Sequence, residues 1–291
     1  MPETKPKLSP QFAFSQSSLQ DYADCPRRFQ LRYLDQLVYP AAESEPALEN
    51  ERHLLEGQHF HRLAQQHLLG IPTEKLERLA NTPNLQRWWE NFLSFSQTSL
   101  MGLTGLHPEV TLSAPLGDFR LVAKYDLIAF MEDEKIIIYD WKTYRKRPRN
   151  EWLSTRWQTR AYRSLLVAAG GQLNSGKPIV PKRCEMVYWF SNFSDDPARF
   201  LYNEAQYKRD WDALVKLTEE IQSAASRYHS LQKERDSSYP LTDDRQKCAY
   251  CTYRSYCDRG IQAGDMDAIE AEMEAESLFD VNFEQIGEIE F

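Results

Sequence analysis

The sequence predicts one α/β domain in which a mixed β-sheet is surrounded by helices. Two observations carry that prediction. Apolar residues recur at helical spacing through the first hundred residues, and near residue 108 the period falls to two for a run of three strands. A helix, a strand and a long helix then follow, an alternation that calls for helices packed on a sheet. The chain has 291 residues, enough for one large domain or two small ones, and 42% hydrophobic residues supply an ordinary core.

Residues 1–13 read as a flexible leader rich in Pro, Lys and polar groups. Ser15 or Ser17 is placed to cap a helix over 18–37, with Leu19, Tyr22, Phe29 and Tyr33 near one face. Residues 40–50 are polar, contain proline and read as a linker. Helices are expected over 54–69 and over 85–95, the latter with Trp88, Trp89 and Phe92. Strands follow at 108–114 and 119–130, joined by a turn at Gly117-Asp118. Glu132-Asp133-Glu134 makes the next turn, and 135–141 is an apolar, β-branched run of the kind found in buried strands. A helix over 152–169 stops at Gly170-Gly171. A strand at 184–190 and a helix over 204–233 complete the domain, expected to span 14–260.

The formal charge of −8 is misleading about partners. Residues 261–291 hold ten acids and no Lys or Arg, so the remaining 260 residues carry about +2. The body is mildly basic and the acidic tail hides it. No apolar run is long enough to span a membrane, and the N-terminus lacks a signal-peptide core, so a cytoplasmic location is expected. In a reducing compartment clustered cysteines more often bind metal than form disulfides. Cys25 and the set Cys248, Cys251 and Cys257 bracket the domain at a spacing that can close around one metal centre. Spacing alone admits a Cys₄ zinc site as readily as an iron–sulfur cluster. Cys184 lies in a strand-like run and reads as a small buried apolar residue.

The chemistry concentrates between these cysteines. Asp126 and Asp140 fall on neighbouring predicted strands, and Lys142 shares a strand face with Asp140. Paired carboxylates repel unless a cation lies between them, and hard oxygen ligands suit Mg²⁺ or Mn²⁺. A lysine there can orient a water or offset phosphate charge. His61, in Gly57-Gln58-His59-Phe60-His61, is a candidate third ligand. Gln158 and Tyr162 lie four apart on one helix face and suit binding a phosphate or steadying the lysine. Arg145, Lys146, Arg147 and Arg149 form a basic run directly downstream, suited to a phosphate backbone.

Together these segments resemble the PD-(D/E)XK nuclease superfamily in its RecB-like branch. More narrowly, they resemble its iron–sulfur members: the nuclease domains of AddB-type helicase–nuclease subunits and the CRISPR-adaptation exonucleases. The carrying residues are the opening FSQSSLQDYADCPRRFQLRYL, GQHFH, KYDLI, DWK, QTRAY and the four cysteines, in that order. The resemblance implies a restriction-endonuclease-like core closed by a 4Fe–4S cluster on Cys25, Cys248, Cys251 and Cys257. It implies a Mg²⁺ or Mn²⁺ site at His61, Asp126 and Asp140, with Lys142, Gln158 and Tyr162 completing the catalytic set. The implied activity is a metal-dependent DNA exonuclease on single-stranded ends, in repair, CRISPR adaptation or defence. Two departures stand out: Lys124 occupies a position often held by Gly, and Thr143-Tyr144 replaces the usual Thr-Gly.

Two other functions compete with cutting. One is a nucleic-acid-binding module that keeps the fold without cleaving. The other is a subunit whose tail docks on a helicase or integrase, the tail mixing acids with Leu278, Phe279, Phe283 and Ile286. The same tail has the character of a DNA mimic over the basic run, or of a plain solubilising segment.

Overall fold

A computed structural model of the chain describes residues 8–9, 11–38, 47–231, 239–249 and 251–260. Most of the predicted leader, most of the 40–50 linker and the acidic tail lie outside these residues. In chain order the elements are β1 (Ala13–Phe14), α1 (Gln16–Asp24), α2 (Pro26–Phe29), a π-helical turn (Gln30–Leu34), α3 (Ala47–Leu68), α4 (Thr73–Leu76) and α5 (Pro83–Ser99). Then come β2 (Leu103–Leu116), β3 (Phe119–Met131), β4 (Ile136–Lys142), α6 (Asn150–Thr155), α7 (Trp157–Ala169), β5 (Cys184–Phe190), β6 (Ala198–Leu201) and α8 (Glu204–Leu231).

The sheet is mixed, as the sequence predicts. Its order is β1-β3-β4-β5-β6, with β2 also paired to β3. β1 runs parallel to β3 and β4 parallel to β5, while β2–β3, β3–β4 and β5–β6 are antiparallel. Side-chain alternation sorts the strands onto two cores. Ile136 and Ile138 of β4, with Met186 and Tyr188 of β5, pack against α7 and α8 through Leu165, Leu166, Leu214 and Ile221. Ile137, Tyr139, Trp141, Val187 and Trp189 point the other way, onto Phe60 and Leu63 of α3 and Trp88, Trp89 and Phe92 of α5. Asp140 and Lys142, in phase with Ile136 and Ile138, therefore face α7, while Trp141 between them is locked into the aromatic core.

Several expectations need correction. The first helix does not run through 18–37. Pro26 disfavours helical geometry at Cys25, which is extended (φ −160°, ψ 104°), so α1 ends there and α2 restarts with Pro26 at its first turn. The 152–169 helix is likewise two helices, broken at the extended Arg156. The leader is shorter than 1–13. Leu8 and Phe12 are buried in the core, and Ala13 pairs with Arg120, so the packed domain begins before residue 14. Residues 47–50, expected in the linker, belong to α3. Two short strands, β1 and β6, escape sequence reading because two or four residues hold no measurable period.

The two ends of the domain meet. Arg27 N donates to Pro240 O at 3.2 Å, Tyr239 N donates to Gln30 Oε1 at 2.8 Å, and Lys247 Nζ pairs with Asp24 Oδ1 at 3.0 Å. Tyr253 OH donates to Leu37 O at 2.9 Å. Among the described residues, no helix is long and apolar enough to cross a membrane.

Candidate active site

Asp126 sits where β3 changes face. Tyr125 and Ile128 both belong to the core under α7, whereas Leu127 and Ala129 belong to the aromatic core. Strict alternation would put 125 and 128 on opposite faces, so the strand turns at Asp126. The partner strand turns with it. Glu109 lies between the pairs Pro108↔Leu127 and Val110↔Tyr125, opposite Asp126, and adopts a left-handed backbone (φ 54°) that a non-glycine residue enters at a cost. Across the other edge, Leu127 pairs with Tyr139, so the register sets Asp126 beside Asp140.

Helix α3 brings His61 to the same point. Gly57, one turn earlier, lies so close to Thr143 that an added Cβ would stand 2.9 Å from Thr143 Oγ1. His53 Nε2 lies 2.9 Å from Thr143 O, fixing the helix from the preceding turn. His61 Nδ1 then lies 3.1 Å from Asp126 Oδ1, and Trp141 N donates to Asp126 Oδ2 at 2.7 Å. Ligand atoms of His61, Glu109 and Asp126 all lie within 4.8 Å of one another. His61 and Asp126 side chains are 25% and 16% exposed, so solvent and substrate can reach them.

The charges of this trio are unbalanced. Burial raises the Asp126 pKa, but His61, the Trp141 N–H and Lys142 outweigh that and hold it below its ordinary value. The Glu109 carboxyl is pushed up by burial and by the charge of Asp126, against the opposing pull of its ion pair with Lys124. A cation among the three would relieve this repulsion. Two carboxylates and one imidazole form a donor set that suits Mn²⁺, or Mg²⁺ retaining waters.

Beneath this tier lies a buried one. Asp140 and Lys142 are each 2% exposed and paired at 2.8 Å. Gln158 Nε2 donates to Asp140 Oδ2 at 2.8 Å, and Tyr188 OH donates to Gln158 Oε1 at 3.3 Å. The Lys142 ammonium lies 5.5 Å from the Tyr188 ring centroid and 5.8 Å from that of Tyr144. Tyr162 OH donates to Lys124 O at 2.9 Å, holding β3 two residues before Asp126.

The structure thus brings together Asp126, Asp140, Lys142, His61, Gln158 and Tyr162. It directs Gln158 to the carboxylate and Tyr162 to the strand. Asp140 is not in the tight ligand group, where Glu109 stands with His61 and Asp126. Glu109 is the residue sequence reading missed. Its only signal is an acid after Pro108 in a weakly alternating run, and nothing in that pattern announces a left-handed backbone. Of the basic run, Lys146 and Arg149 are exposed and Arg145 half-buried, while Arg147 is committed to the fold through Asp196 at 2.7 Å, Asn150 at 2.8 Å and the Phe190 ring.

Removing the Glu109 carboxylate should weaken metal binding by at least the roughly 10–100-fold that loss of an outer-shell partner costs, read by calorimetric titration with Mn²⁺. Glu109→Gly and Glu109→Ala should behave alike, although glycine relaxes the left-handed backbone and alanine does not. Unchanged affinity in both would remove Glu109 from the ligand set.

A carboxylate–imidazole trio able to hold a cation thus lies above a carboxylate–lysine pair, on a mixed sheet between helices. The chain belongs to the PD-(D/E)XK nuclease superfamily, whose profile matches residues 13–258. Among solved structures it is similar to a candidate exonuclease from Eubacterium rectale, at 10% identity and a TM-score of 0.45, over 74% of this chain and 81% of that one. It is also similar to the protein SSO0001, at 13% identity and a TM-score of 0.34, over 70% and 96%. No curated protein sequence matches significantly.

Proposed function

We propose that the chain is a Mg²⁺- or Mn²⁺-dependent deoxyribonuclease of the RecB-like branch, degrading single-stranded DNA from its ends. The observation that carries this reading is the accessible trio His61–Glu109–Asp126 lying over the buried Asp140–Lys142 pair. His61, Glu109 and Asp126 would hold a divalent ion, which would supply Lewis-acid charge for a phosphate and acidify a water when bound. The residues do the rest. Asp140 holds the Lys142 ammonium in place, Gln158 and Tyr188 hold Asp140, and Tyr162 holds the turn that presents Asp126. Lys142 provides a positive, hydrogen-bond-donating group for water or phosphate oxygen. Lys146, Arg149 and Arg145 offer charge for the flanking backbone.

The test uses single strands labelled at either the 5′ or the 3′ end, with Mn²⁺ and with EDTA. Shortening from one end with Mn²⁺, and none with EDTA, is expected. Intact strands with Mn²⁺ would overturn the reading.

The four cysteines are proposed as ligands of a 4Fe–4S cluster that clasps the two ends of the domain. Cys25 stands at the break between α1 and α2, and Cys251 N donates to Cys248 O at 3.2 Å. Burial pushes the Cys251 thiol up to about 11, and the neighbouring Cys25 adds to the rise. Cys257 is raised by burial and by both Cys25 and Cys248. Burial is the larger cause of both rises, and among the described residues the close ligand group of His61, Glu109 and Asp126 includes no cysteine. What supports the cluster is therefore the spacing of the four cysteines at the meeting of the two chain ends. Anaerobically purified protein should be brown, with a broad visible absorption from thiolate-ligated iron that is lost in Cys251→Ser. Colourless protein containing stoichiometric zinc would sink the cluster.

A further inference from the structure

A second charged concavity lies beyond α7, on the side away from Asp140. It has a volume of about 570 Å³ and gathers Arg160 and Arg163 from α7, Arg199 from the edge strand β6 and Arg209 from α8. Among the described residues lining it, Asp210 is the sole acid.

That acid is fully occupied. Asp210 Oδ1 takes Arg160 Nε at 3.0 Å, and Oδ2 receives Tyr202 OH at 3.3 Å and lies 3.5 Å from Arg163 NH2. Arg163 is buried, with Nε donating to Thr159 O and NH1 to Leu201 O. Arg160 is stacked on Trp157, its guanidinium carbon 4.3 Å from the ring centroid. Both guanidiniums are therefore held rigid. Arg199 pairs with Glu185 at 3.1 Å but is 47% exposed, so that pair is weak and exchangeable. Arg209 has no carboxylate partner among the described residues. It lies in the second turn of the 28-residue α8, whose positive end adds to the same potential.

Four guanidiniums against two carboxylates, Asp210 within the cleft and Glu185 paired with Arg199, leave a surplus of positive charge in a concave site. Guanidinium forks match phosphate geometry. We propose that this cleft binds phosphate esters, separately from the site where the phosphodiester is cut. Two sources share that chemistry: a phosphate of a strand running past α7, or a free nucleotide. Only the first rests on the nuclease reading.

The test measures binding by the full chain in EDTA at low salt, so that no cleavage is required. The variants are Arg199→Ala/Arg209→Ala and, as a single change at an exposed position, Arg209→Glu. The probes are a 30-nucleotide single strand, followed by fluorescence anisotropy, and a deoxynucleoside monophosphate, followed by calorimetry. If a strand occupies the cleft, both variants weaken DNA binding roughly tenfold or more. The double variant then lowers the slope of log affinity against log salt by about 1.4, on the order of 0.7 per phosphate contact, and the monophosphate does not bind. If a nucleotide occupies it, the monophosphate binds, both variants lose that binding and DNA affinity is unchanged. Wild-type behaviour of both correctly folded variants toward both probes overturns the proposal. Loss of cleavage in wild type with these binding results intact would instead overturn only the nuclease reading.

Discussion

Asp126→Asn should reduce DNA cleavage by about 10²–10³-fold or more while leaving the fold intact. The amide still accepts from Trp141 N–H, which Asp126 Oδ2 holds at 2.7 Å, but it no longer carries the charge that pairs with His61 and joins Glu109 around a cation. Asp126→Ala should lose the same activity and some stability too. It leaves the Trp141 N–H without its acceptor, at a cost of roughly 1–3 kcal/mol if no water replaces it. Comparing the two separates chemistry from scaffolding, with cleavage rates read on labelled single strands and stability by urea unfolding. Near wild-type cleavage in Asp126→Asn would mean that the catalytic centre lies elsewhere.

Lys142→Ala should have the largest effect on stability. The pair Asp140–Lys142 is buried, and removing one member strands the other's charge, at a cost of roughly 3–5 kcal/mol. Gln158 supplies one hydrogen bond to Asp140, which does not replace an ammonium. Removing both charges is different. Asp140→Leu/Lys142→Met replaces a buried pair with apolar groups of similar size, a change that is often neutral for stability. This double variant should recover most of the lost unfolding free energy and none of the activity. A double variant as unstable as Lys142→Ala would show that the pair itself holds the sheet together. An active one would remove both residues from the chemistry.

The strands that carry the site were legible because they are long or continuously apolar. β4 and β5 announce themselves through Ile136, Ile137, Ile138 and Val187, and β3 through its period of two. DWK was readable for the same reason: alternation on a strand settles which residues share a face. The register that sets Asp126 beside Asp140 followed from a short turn. What stayed hidden depends on local breaks in those rules. The face change at Asp126 and the left-handed Glu109 are conformations that neighbouring packing imposes, and residue type does not encode them. The stop at Cys25 was encoded by Pro26, but the apolar stripe on either side outvoted it. The arginine cleft assembles from three elements spread over fifty residues, so no window of sequence contains it.

The meeting of the two ends has a bearing on how the molecule is made. Gln30 waits for Tyr239, 209 residues later, and Leu37 for Tyr253, 216 later. Contacts this distant are slow to find because the intervening chain must first be gathered in. During translation α1 and α2 can pack on the sheet and α7 well before residues 239–253 emerge, so the bonds that close Gln30 and Leu37 are the last of their contacts to become available. A polypeptide truncated just short of Tyr239 would keep His61, Glu109 and Asp126 and the pairing of Ala13 with Arg120, but would lose the bonds from Tyr239 to Gln30 and from Tyr253 to Leu37, the Asp24–Lys247 ion pair and three of the four clustered cysteines.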